Sequence, residues 1–563
     1  MDCRKVIIFV LCEISLSVAY GKDPTLVTLP EGQIKGHELR SPNGKVYYAF
    51  QEVPYAAPPV GELRFKPPTE HQKWKGVLDT TKNTKICYKT DSFVIPNTTE
   101  SEDCLYLNVF TPQKPGDSSK APLGVIVWIH GGGYEYGSGV VQIFKPQFYV
   151  EHNIVVVTMN YRLAVLGFLT TEDGVIPGNL GMKDQHFALK WVKKNIHLFG
   201  GDPEKITISG ESSGAAAVGL HIISPKNKGL FRAAILQSGT AVAKWTRQDF
   251  ARFYAFELGR SLDPNFKSND SKELLKLLQK TPASKLTKNS VTTAPGKQTS
   301  SVEGEGQIWL PVIEDPHLEG AFLTTSFYEP FRTGNINQVP ILIGFNSEEY
   351  LLVASAIPSG PPNRAKYFDT DLSNLVGNKY NMTKENKVAA GRKLRQIYTD
   401  RTFQEDIAAV IKFTSDEVFS TPSTRHAKLQ SSYTDVYMYQ FSYKGKMGGL
   451  AGAEVAGVRG VGHAEELGYL WDAPLTSDGS PDDPDDLVTR QRLLTLWTNF
   501  VKCLNPTPKK DSVLNNVIWE KLTPNNLVYL NINKTLEMQK NPKEYLEWEK
   551  VLDTYAIPPL SNY

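Results

Sequence analysis

Two nearly unbroken apolar runs, Val125 to Ile129 and Ile154 to Met159, stand out along the chain. A half-exposed strand alternates apolar with polar positions, so continuous runs of this length predict strands covered on both faces. Between Asp184 and Phe199 the period changes: Phe187, Ala188, Trp191 and Val192 form a stripe on one face of a helix, stopped by Gly200-Gly201 before the turn Asp202-Pro203. Lys205 to Ser209 reads as another strand, and Ser213 to Ile223 as a helix of small residues. Ala233 to Gln237, Ile341 to Phe345 and Val436 to Tyr443 add strands further on. Strands alternating with helices predict an α/β fold with a large, mostly parallel central sheet and helices on both faces. The first hundred residues read as turn-rich framing, and the Lys/Ser/Thr-rich stretch from Lys267 to Thr299 as a surface excursion. No linker or internal repeat divides the chain, so residues 20–563 are expected to form one domain.

Composition narrows the classes. Of 563 residues 40% are hydrophobic, enough for a large core. The 62 basic and 60 acidic residues nearly cancel, with no long run of one sign, which argues against a nucleic-acid partner. Met1 to Lys5 carries basic residues, Val6 to Cys12 is apolar, and small residues follow at Ser17-Val18-Ala19. That is the pattern of a signal peptide over residues 1–19, cleaved near 19–21 and too short to act as a span. With no other long apolar run and no hydrophobic tail, the expectation is a secreted protein without a membrane anchor. Asn97, Asn269, Asn381 and Asn533 begin glycosylation sequons. Beyond the leader lie Cys87, Cys104 and Cys503; the near pair is the natural disulfide in an oxidising compartment, leaving Cys503 as a buried, inert thiol.

Gly210-Glu211-Ser212-Ser213-Gly214 falls between a strand and a helix. A nucleophilic serine needs such a sharp turn to hold its hydroxyl clear of the backbone, and flanking glycines relieve the crowding. His130-Gly131-Gly132-Gly133 closes an earlier strand, and consecutive glycines leave backbone N–H groups free to face an oxyanion. A serine also needs a base and an acid, which in this kind of fold follow it in the order acid, then histidine. His426 sits in a polar stretch that reads as an exposed helix start; His463 sits in a glycine-rich loop that can present a ring at a cleft. His463 is therefore the expected base. The acid should follow the strand Ile341 to Phe345, where Glu348 and Glu349 both qualify and the residues alone leave the choice open.

Together these segments resemble the type-B carboxylesterase and cholinesterase family. The likeness extends through Gly61 to Phe65, Ser101 to Asn108, Asn160-Tyr161-Arg162, Gly178 to Gln185 and Gln237-Ser238-Gly239. It implies Glu349 as the triad acid beside Ser212 and His463, with oxyanion donors from Gly132, Gly133 and Ser213. It further implies a Cys87–Cys104 bridge, ion pairs Arg64–Glu102 and Arg162–Asp184, carboxylates Glu211 and Glu466 with Ser238 around the triad, and Trp245 in the acyl-side wall. There are departures. No tryptophan lies between Cys87 and Cys104 to capture a choline cation, and Leu352 and Val353 stand where relatives carry aromatics. Tyr350 replaces a usual glycine, and Ser213 a usual alanine.

The resemblance implies hydrolysis of an uncharged small-molecule ester through an acyl-enzyme. No metal or organic cofactor is expected, because no ligand-spaced cluster of His, Cys or Asp stands out. A specialised juvenile-hormone or semiochemical esterase is the alternative, although such enzymes commonly carry Gln where this chain has Glu211. The rival outside enzymes is a catalytically silent, cholinesterase-like binding ectodomain, which would lose triad residues that this chain keeps.

Overall fold

The structure is a computed structural model that describes residues 23–90, 94–288, 307–356, 359–376, 380–449, 454–471, 483–558 and 560. The expected leader, residues 1–19, lies outside the described residues.

Among the described residues an 11-stranded sheet forms the centre. Its strands, in chain order, are β1 (His37–Arg40), β2 (Val46–Pro54), β3 (Tyr106–Thr111), β4 (Leu123–Ile129), β5 (Val155–Met159) and β6 (Gly201–Glu211). They continue with β7 (Ala233–Gln237), β8 (Ile341–Asn346), β9 (Val436–Phe441), β10 (Val528–Ile532) and β11 (Leu536–Lys540). Across the sheet the order is β11-β10-β9-β8-β7-β6-β4-β5-β3-β2-β1. From β5 to β10 every pairing is parallel; antiparallel strands β1 to β3 extend one edge and β11 the other.

The continuous apolar runs have the anticipated cause. Along β4, Val125, Val127 and Ile129 join one hydrophobic core while Ile126 and Trp128 join the other. Successive side chains point to opposite faces, so burying both faces requires every position to be apolar. The helix Leu180–Asn195 covers one face through Ala188, Leu189 and Val192, and Pro484–Cys503 covers the other through Leu493, Trp497 and Phe500.

The topology also places the chemistry. The chain passes from β4 to β5 on one side, then returns to lay β6 on the opposite side of β4. A crevice opens at the carboxyl ends of strands where the order reverses in this way. His130 follows β4, Ser212 follows β6, Ser238 follows β7 and Glu349 lies just past β8, so all reach the same rim.

Long-range contacts expected from the resemblance are present. Cys87 and Cys104 are bonded. Arg162 holds Asp184 through Nε at 2.7 Å and Nη2 at 2.6 Å, with both side chains buried. Arg64 meets Glu102 at 2.6 Å through Nε and donates Nη1 to the carbonyls of Leu278, Gln279 and Thr281.

Three expectations are corrected. The described part of Lys267 to Thr299 is not merely a surface excursion: helix Ser271–Lys280 buries Leu274 and Leu278, and Arg64 secures its last turn. Cys503 is exposed, not buried, because it ends its helix two positions past Val501, the last of the core-facing residues. His426 is fully buried inside helix Thr421–Gln430, not exposed. Its ring nitrogens meet Thr240 Oγ1 at 2.5 Å and Gln430 Oε1 at 2.8 Å, and burial lowers its pKa to about 4.

Arg162→Met leaves the Asp184 carboxylate buried without its partner, a loss of about 3–5 kcal/mol. Urea unfolding should show a correspondingly lower midpoint; a change below about 1 kcal/mol would contradict a structural role for the pair.

Candidate active site

Ser212 occupies a turn that few side chains tolerate. With φ 57° and ψ −127° it joins β6 to helix Ser213–Ile223, a strained conformation costing about 1–3 kcal/mol. Its N–H donates to Gln237 O at 2.8 Å, pinning the turn to β7. The glycines on either side answer to crowding: a Cβ on Gly210 would stand 2.5 Å from Gly214 backbone atoms, and one on Gly214 would strike Ile129 O.

His463 arrives from the loop before helix Leu467–Leu470. Its backbone N–H donates to Glu349 O at 3.1 Å, and its Nδ1 lies 2.6 Å from Glu349 Oε2. Glu349 is completely buried, and its Oε1 accepts the Asn346 N–H at 2.7 Å. The structure therefore selects Glu349 over Glu348 as the partner of His463. Glu348 is turned elsewhere, and burial pushes its carboxyl up to about 7.

On the other edge of the ring, Nε2 stands 3.0 Å from Glu211 Oε1 without hydrogen-bond alignment. Ser212 and His463 line the same two cavities, yet among the described residues no hydrogen bond joins the Ser212 hydroxyl to the ring. Glu211 occupies the imidazole edge that a serine hydroxyl would share, and such contacts commonly tighten only once substrate is bound.

Burial alone would lower the pKa of His463, but Glu211 and Glu349 outweigh it and hold the imidazole well above its ordinary range. A histidine raised in this way contributes its full stabilisation below the unfolded value of about 6.5 and loses it as pH rises through the folded value. Burial, then repulsion from Glu211 and Glu349, lifts Glu466 to about 7. Glu466 accepts from Gln237 Nε2 at 2.9 Å and from Asn346 Nδ2 at 2.7 Å. Ser238, expected in this group, is buried at φ 51°, and among the described residues its hydroxyl has no partner.

The glycine loop lies directly against the turn. Gly132 and Gly133 adopt φ of 108° and 63°, and a Cβ on Gly131 would come 2.7 Å from Glu211 O and 3.0 Å from Ser212 Cβ. Ser213 contributes more than its backbone, for its hydroxyl accepts the Tyr134 N–H at 3.2 Å and ties the loop to the turn.

Two cavities meet at Ser212 and His463. One, of about 430 Å³, is lined by Gly131, Gly132, Glu211, Phe144 and Leu352. The other, of about 590 Å³, is lined by Gly133, Trp245, Tyr350, Leu352, Val353 and Phe419. Trp245, Leu352 and Val353 all line this second cavity. Sequence reasoning did not single out Phe419, whose ring lies 4.5 Å from that of His463, or the hydrogen-bonding pair Gln237 and Asn346. Phe419 lies in an irregular turn that carries no periodic signal; Gln237 and Asn346 end strands at the rim, a placement that could have marked them. Asn97, Asn269 and Asn381 are exposed and Asn533 is partly exposed. Among the described residues no group of three or more His, Cys, Asp or Glu stands in metal-binding proximity, and no helix is long and apolar enough to cross a membrane.

Glu211→Gln removes one of the two carboxylates that favour the imidazolium. The acid limb of the kcat/KM profile should move to lower pH; an unchanged limb, or one moved upward, would contradict this electrostatic assignment.

The chain has counterparts among known proteins. The sequence matches the carboxylesterase family over residues 23–547. It is 30% identical to a juvenile hormone esterase of Tribolium castaneum, an alignment covering 96% of this chain and 94% of that protein. It is 32% identical to a carboxylic ester hydrolase of Bombus ignitus, covering 88% and 87%. The crystal structure of juvenile hormone esterase from Manduca sexta, with OTFP covalently attached, superposes with a TM-score of 0.81 at 27% identity, covering 94% of this chain and 99% of that one. The chain belongs to the carboxylesterase family.

Proposed function

We propose that this chain is a secreted serine carboxylesterase that hydrolyses uncharged carboxylic esters through an acyl-enzyme on Ser212. The observation that carries the reading is the convergence of a strained serine turn, a histidine bonded to a buried glutamate and a glycine loop on one rim, where two cavities meet.

In the first half-reaction His463, oriented by Glu349, takes the Ser212 proton as the hydroxyl oxygen attacks the ester carbonyl. The N–H groups of Gly132, Gly133 and Ser213 receive the negative charge that develops on the carbonyl oxygen; a single such donor contributes about 3–4 kcal/mol. His463 then passes its proton to the departing alcohol. Water, deprotonated by the same ring, attacks the acyl-enzyme and frees the acid, returning the proton to Ser212. Buried Glu211 and Glu349 set the charge against which the imidazole works, and Glu466 and Ser238 are the further buried groups assigned to the site. No cofactor takes part. Trp245, Leu352 and Val353 form an apolar wall that suits a neutral acyl chain, since none of them offers a charge to an ionic substrate.

Secretion is supported by the basic, apolar and small-residue pattern of residues 1–19, the Cys87–Cys104 bridge and four accessible sequons at Asn97, Asn269, Asn381 and Asn533. Residues 20–563 are read as one catalytic domain. A second reading, a specialised hormone esterase, is favoured by the juvenile hormone esterases among the matched proteins.

Ser212→Ala should reduce hydrolysis of p-nitrophenyl acetate to the uncatalysed level while leaving circular dichroism unchanged. Retained turnover by the folded variant would refute the assignment, and a preference for a long methyl ester over aliphatic acetates to decanoates would favour the second reading.

A further inference from the structure

Asp416–Ser420 forms a π-turn between helices Ile407–Ser415 and Thr421–Gln430. Such widened turns are energetically poor and recur at functional sites. On its cavity side Val418 O accepts the Trp245 Nε1–H at 3.0 Å, and the Phe419 ring lies 4.5 Å from His463 and 6.1 Å from Trp245. One turn thus supplies part of the larger cavity's wall and a face of the histidine's surroundings.

Glu417, the residue before Val418 in the same turn, is buried. Its carboxylate is shared by the Lys244 ammonium and, at 2.7 Å, by Arg364 Nη2, and all three side chains are almost inaccessible. Lys244 immediately precedes Trp245. The Arg364 guanidinium lies over the rings of Tyr350 at 5.5 Å and Phe368 at 4.9 Å. Tyr350 immediately follows Glu349 and donates its N–H to Ser415 Oγ at 3.0 Å. A single carboxylate therefore joins the segments that carry Trp245, Glu349 and Phe419.

Stability alone is a poor reason for such a cluster. Apolar residues of similar volume often serve as well or better than buried ions, and the best-attested use of buried ions is to specify one arrangement among several.

We propose that Glu417 is a positioning residue for acyl specificity: by binding Lys244 and Arg364 it fixes Trp245 and Phe419, and so sets the length of acyl chain the larger cavity accepts. The inference rests on the reading of Ser212 as the nucleophile.

The test compares unaltered protein with Glu417→Gln and Glu417→Asp on p-nitrophenyl acetate, butyrate and hexanoate. Functional sites are counted by organophosphate titration, so that misfolded molecules do not enter the rates. The hexanoate-to-acetate ratio of kcat/KM should change about tenfold in Glu417→Gln, the scale on which a pocket discriminates a methylene or two, with Glu417→Asp intermediate. Should Glu417→Gln yield no titratable sites, Glu417→Asp, which keeps the charge and shortens its reach, decides alone. A ratio constant within about twofold in titratable variant would overturn the proposal even if Tm falls, because a merely supporting cluster lowers Tm without altering selectivity. Failure of the unaltered protein to turn over or titrate would instead overturn the esterase reading itself.

Discussion

The site depends on negative charge held around one imidazole where water barely reaches. Glu349 lies 2.6 Å from Nδ1 of His463 and Glu211 lies 3.0 Å from Nε2, while burial first, and then these two carboxylates, push Glu466 up to about 7. Burial weakens a charged histidine, but opposite charges at these separations in a low-dielectric setting more than reverse the effect. The carboxylates favour the imidazolium that exists after the serine proton has been taken, which is the state an ester hydrolase must stabilise. Gln237 and Asn346 bear the cost of keeping that charge inside, supplying donors to a carboxyl that would otherwise be unsatisfied.

The sheet makes the arrangement reproducible. A strand covered on both faces cannot shift by one residue without sending every side chain into the opposite core, where it does not fit its neighbours, so the positions at which β4, β6, β7 and β8 end are fixed. Each end delivers one component: the glycine loop, Ser212, Ser238 and, three residues past its strand, Glu349. Backbone packing then excludes alternatives, since Gly131, Gly210 and Gly214 have no room for a side chain. Ser213 adds a further tie, its hydroxyl accepting the Tyr134 N–H.

What the sequence made legible follows from how local each signal is. Apolar runs and the helix between Asp184 and Phe199 show directly as periodicity, and the serine turn as glycine spacing. Glu349 could not be separated from Glu348 by residues alone, because both share one strand end and only the path of the His463 loop distinguishes them. His426 was misread because its neighbours are polar, yet Arg425 and Lys428 reach Glu549 at 2.6 and 2.7 Å while His426 packs inward against Phe331. Cys503 was misread in the opposite sense, since a thiol's apolar character says nothing of which way the last turn of a helix faces. Phe419 and Glu417 lay beyond local reading altogether, because a π-turn breaks the period and Lys244 is 173 residues from Glu417.

The most direct test of the central claim is to inactivate the protein with a labelled organophosphate and locate the adduct by peptide mass spectrometry. The expected result is one label per chain, on Ser212. A label on another residue, or full inactivation with Ser212 unmodified, would contradict it.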